Sequence, residues 1–73
     1  MWEHEFHTLD HLRIGPLRNS RGWIFAVAEI GDSWFLRWCD PHGLQGSAVF
    51  ADHDDCIRAL EMINRYDQPP NAR

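Results

Sequence analysis

From Trp23 to Ile30 the chain runs Trp-Ile-Phe-Ala-Val-Ala-Glu-Ile. β-branched and aromatic residues dominate this stretch, which predicts a strand. Gly31-Asp32 follows, and a glycine at the first central position is what a two-residue type II′ hairpin requires. Residues 33–39, Ser-Trp-Phe-Leu-Arg-Trp-Cys, then read as the returning strand, with Ile30 opposite Ser33. That register sorts the side chains by parity. Trp23, Phe25, Val27, Trp34, Leu36 and Trp38 share one face. Ile24, Ala26, Ala28, Ile30, Phe35, Arg37 and Cys39 share the other.

Asp40-Pro41-His42-Gly43 has the residue order of a type I turn closed by a left-handed glycine bulge. This turn pairs Asp40 with Leu44 and starts a third strand over 44–51. Gly46 then falls opposite Trp38, Ala48 opposite Leu36 and Phe50 opposite Trp34. Leu44, Ala48 and Phe50 join the tryptophan face, small residues meeting large ones. Beyond it, Asp52 suits a helix N-cap, and Asp54 and Asp55 suit a first turn. Cys56, Ala59, Leu60, Ile63 and Tyr66 fall at the spacing of a buried helical stripe, so a helix is predicted over 53–66. Asp67-Gln68-Pro69-Pro70 stops it. Residues 67–73 are expected to form a disordered tail behind a single domain, 1–66.

The amino-terminal part has a weaker pattern. As a helix over 2–12 it puts Trp2, Phe6 and Leu9 on one face and His4, His7 and His11 on the other. As a strand it groups Trp2, His4 and Phe6 instead. The helical reading is preferred, and Gly15-Pro16 breaks whatever precedes it. Residues 13–22 read as a loop bearing Arg13, Arg18 and Arg21. The expected fold is therefore α+β: a three-stranded antiparallel meander, a C-terminal helix packed on one face, and an N-terminal helical or irregular segment. Phe6, Leu9, Leu12, Ile14 and Leu17 are expected to cover the second face.

Composition narrows the function classes. A 73-residue chain with 44% hydrophobic and 25% charged residues is an ordinary globular composition. The longest apolar run, Trp23 to Ala28, is far below the ~18 residues a membrane helix needs, so no membrane partner is expected. Net charge is −4, which disfavours non-specific nucleic-acid binding. Met1-Trp2-Glu3-His4-Glu5 has neither the basic start nor the apolar core of a secretory signal. With two cysteines, the expectation is a reducing, cytoplasmic setting and free thiols.

Cys39-x-x-His42 and His53-x-x-Cys56 have the donor types and paired spacing of a tetrahedral zinc site. The strand reading opposes it: the intervening strand, at about 3.3 Å per residue, separates the pairs by roughly 25 Å. Cofactor-free function is therefore expected, with zinc on Cys39, His42, His53 and Cys56 as an alternative. No serine sits in a glycine elbow, and Cys39–His42 lies in a turn with little room behind it, so an enzyme is not expected. The leading expectation is a small binding module acting by protein–protein contact, as a regulator or inhibitor and possible homodimer. Its candidate residues are Arg13, Arg18, Arg21, Phe35 and Arg37, since arginine and aromatics are frequent interface anchors. The same residues could instead touch the phosphates and bases of a nucleic acid, as a nucleic-acid-binding ββ-β-α module, a lower-ranked alternative.

Overall fold

In a computed structural model that describes residues 12–70, the chain forms an antiparallel sheet carrying one helix. The strands are β1 (Leu12–Arg18), β2 (Ile24–Ile30), β3 (Ser33–Cys39) and β4 (Gln45–Phe50), and the helix is α1 (His53–Tyr66). They lie in the sheet in the order β1-β2-β3-β4, with α1 across β3 and β4. The expected α+β class holds. The sheet has four strands, not three, and the expectations for residues 1–11, including the His4, His7 and His11 stripe, lie outside the described residues.

The extra strand is β1, which occupies the stretch read as an arginine loop. Proline lacks an N–H and is confined to sheet edges and irregularities. Pro16 stands on an edge, after a cis Gly15-Pro16 bond, and the β1–β2 register shifts twice, between Leu12 and Ile14 and between Ile14 and Leu17. Gly15 has a φ of +87°, and a Cβ there would lie 2.6 Å from the Phe25 carbonyl oxygen, so only glycine fits. These irregularities hide the alternation that marks a strand.

The hairpins follow the expected register. Ile30 faces Ser33, Trp38 faces Gly46, Leu36 faces Ala48 and Trp34 faces Phe50. Gly31 takes a φ of 62° and Gly43 a φ of 94° in their turns. At Asp40 the carboxylate Oδ1 accepts from the N–H groups of His42 at 2.9 Å and Leu44 at 2.8 Å. The β1–β2 connection is the same device. Asn19 Oδ1 accepts from the N–H groups of Arg21 at 2.9 Å and Trp23 at 3.1 Å, and Gly22 has a φ of 95°. Asn19-Ser-Arg-Gly22 thus repeats the spacing of Asp40-Pro-His-Gly43, a signal that could have revealed β1 from sequence.

One face of the sheet holds the core. Trp23, Phe25, Val27, Leu36 and Trp38 pack with Cys56, Ala59 and Ile63 of α1, flanked by Ile14, Trp34, Ala48, Phe50 and Leu60. Two expected members are absent: Leu44 is 71% and Tyr66 61% exposed. Leu44 belongs to the turn rather than to β4, and Tyr66 is the last helical residue. Asp52 caps α1, its Oδ1 accepting from the Asp54 N–H at 3.1 Å. At the other end Asp67 adopts the left-handed conformation, with Asp67 N–H donating to the Ile63 carbonyl and Gln68 N–H to that of Met62. The Asp67–Ile63 bond is that of the αL helix ending, with aspartate where glycine is usual.

Packing over β4 is tight at one point. A Cβ at position 46 would lie 2.5 Å from the Trp38 indole. Gly46→Ala is expected to destabilise the fold by about 1–3 kcal/mol through overpacking. Leu36→Ala, at a side chain with no exposed surface, should lose about 2–5 kcal/mol. Urea unfolding followed by tryptophan fluorescence measures both.

Candidate protein-binding surface

Parity along β2, β3 and β4 puts a second set of side chains on the face away from α1. On β2, Ala26 and Ala28 are buried there, packed against Ile24 and Cys39. Toward β3 and β4 the face opens into a groove of about 390 Å³. Ala28, Ile30 and Phe35 give it apolar walls, and Arg37, Gln45 and Ser47 line its polar side. Arg37 reaches along this wall, its Nη2 donating to Gln45 Oε1 at 3.5 Å. A half-buried aromatic beside a guanidinium is a recurrent protein-recognition pair.

The five candidate residues do not form one cluster. Phe35 and Arg37 meet in the groove. Arg18, opposite Ile24 on β1, lies on the same face at the far edge. Arg13 pairs with Glu29 at 3.4 Å. Arg21 is docked on the end of α1: its Nε donates to Asp67 Oδ1 at 2.6 Å and its Nη2 to the Asn64 carbonyl. A cation at the negative end of a helix dipole is favourable, and this contact helps hold Asp67 in its left-handed geometry. Charge counting along the sequence could not assign these partners, because Glu29 and Asp67 approach only after folding.

The two halves of the zinc pattern fall at opposite ends of β4. Cys39 packs with Ala26 and Ala28 on the groove face, while Cys56 is buried under α1. His42 is exposed in its turn, and His53 sits edge-on to the Trp34 ring at 4.7 Å. Among the described residues no three histidine, cysteine or acidic side chains gather as a metal-binding set. Nor is any described helix long and apolar enough to cross a membrane. Compared with known proteins, the chain matches no family model, no curated protein and no solved structure.

Burial raises the Cys56 thiol from 9.0 to about 11, since the thiolate would lose its hydration. Its neutral form stabilises the fold fully below the ordinary thiol value. That contribution is lost as pH climbs through about 11. In the native chain near pH 8, Ellman's reagent is expected to label Cys39 and leave Cys56 unmodified until denaturant is added. Peptide mass mapping identifies which thiol reacted. Arg21→Ala should cost about 0–1 kcal/mol, as expected for an exposed pair, read from the thermal midpoint.

Proposed function

We propose that the chain is a small non-enzymatic binding module that works through protein–protein contact and regulates or inhibits its partner. The observation that carries this reading is the groove beside Phe35 and Arg37. Its walls are apolar and its polar groups are a guanidinium, an amide and a hydroxyl. Among the described residues no carboxylate, imidazole or thiol lines it, and the residues that do line it offer shape and hydrogen bonding rather than acid–base or nucleophilic chemistry. Such a surface suits a partner that buries an apolar side chain beside an acidic one.

The nucleic-acid reading draws less support. It needs several cations converging on one phosphate track, whereas Arg13 and Arg21 bond to Glu29 and Asp67 away from the groove.

The test is a comparison. Proteins captured by the wild-type chain from extracts of its source cells are purified and titrated by calorimetry against wild type, Phe35→Ser and Arg37→Glu. The expected result is a partner whose affinity drops at least tenfold, about 1.4 kcal/mol, with either substitution. Binding indifferent to both substitutions overturns the reading. So does a nucleic-acid affinity that falls steeply with salt and depends on Arg37.

A further inference from the structure

The two edges of the sheet are built differently. β1 carries Pro16, two register shifts, Arg13 and Arg18. Proline, bulges and charges are the devices by which sheet edges avoid pairing. β4, Gln45-Gly-Ser-Ala-Val-Phe50, has none of them: no proline, no charge and an unbroken register with β3.

The ladder shows which backbone groups face outward. Asp40 N–H donates to the Leu44 carbonyl at 2.8 Å, so this is a hydrogen-bonded pair. Such pairs alternate along an antiparallel ladder. Gly46, Ala48 and Phe50 therefore bond to β3, and Gln45, Ser47 and Val49 turn their N–H and C=O groups to the open edge. Among the described residues, nothing pairs with that edge. Val49 is 59% exposed.

We infer that the β4 edge pairs antiparallel with the β4 edge of a second copy of this chain, centred on Ser47. The strand is self-complementary in this register. Ser47 faces its own counterpart, and Gln45 faces Val49 of the partner on both sides. Each outward N–H finds an outward C=O, and no charge meets its like. Among the described residues, the nearest cations on this face belong to the two Arg37 residues, whose backbones stand three strand spacings apart, about 14 Å.

The helix supplies a second contact. Residues on either side of a buried helical position point to opposite flanks. Ile63 is buried, and Asn64 accepts a hydrogen bond from Asn19 of the β1–β2 turn. Met62 and, one turn on, Tyr66 therefore lie on the flank away from that turn, toward β4, where they are 38% and 61% exposed. The two-fold axis of an antiparallel strand pair is perpendicular to the sheet, so both helices come to one face with these flanks turned inward. A stable interface removes about 800 Å² per partner, more than a six-residue edge provides, and Met62 and Tyr66 extend it. The pairing does not depend on the groove having a ligand.

Light scattering across the micromolar to millimolar range should give twice the chain mass of 8.6 kDa. Ser47→Pro removes an outward N–H and leaves the β3 ladder intact, and Val49→Lys sets charge on the edge. Each is expected to halve the mass with the circular dichroism spectrum unchanged. Amide exchange at Gln45, Ser47 and Val49 should slow with concentration in the wild type, and neither edge substitution should show this slowing at its remaining edge amides. Arg37→Glu should remain dimeric, which separates failure here from failure of the groove. A wild-type monomer throughout overturns the inference, whether the edge is left open or is taken by residues 1–11. A dimer that survives Val49→Lys with unchanged exchange at those amides also overturns it.

Discussion

The Trp38 indole occupies the space that any side chain at position 46 would need. This contact ties the middle of the sheet to its last strand. It is possible only in one register, the one in which Gly46 faces Trp38, and it keeps that part of the core thin enough for α1 to close over it. A slip of one residue would turn Leu36 and both β3 tryptophans to the other face and leave Phe35 and Arg37 beneath the helix. The groove and the open edge both depend on this pairing.

Two turns of one kind hold the register from the same end of the sheet. Asn19 and Asp40 each accept two backbone N–H groups, and each is followed three residues later by a glycine with positive φ. The carboxyl end of α1 arrives beside them, where Arg21 binds Asp67 and the Asn64 carbonyl. The turn that joins β1 to β2 thus also fastens the helix. Arg21 and Asp67 are 46 residues apart, so the contact closes a long loop on a domain whose small core leaves little stability in reserve.

The β2–β3–β4 half of the fold was legible because its signals are local. Parity, Gly31-Asp32, Asp40-Pro-His-Gly43 and the capping aspartate act within a few residues of themselves, and the helical stripe needs only its own spacing. β1 was not legible, because bulges and Pro16 erase its alternation and its pairing is supplied by β2. Strand register puts Leu44 in the core and helical spacing puts Tyr66 there. Leu44 instead lies one residue before β4, and Tyr66 is the last residue of α1, so neither is covered.

For the surface, parity alone placed Phe35 and Arg37 together on the face away from the helix, since alternation in a strand is a property of the backbone. The sequence by itself also determined that β4 is uncharged and free of proline. Only the tertiary structure decided that β4 is an edge, that the groove opens toward β3 and β4 while Ala26 and Ala28 are buried, and that the arginines scatter to Glu29, Asp67 and the groove. Those outcomes depend on which elements become neighbours. Neighbours are chosen by the burial of the tryptophan face as a whole, which no short window of sequence contains.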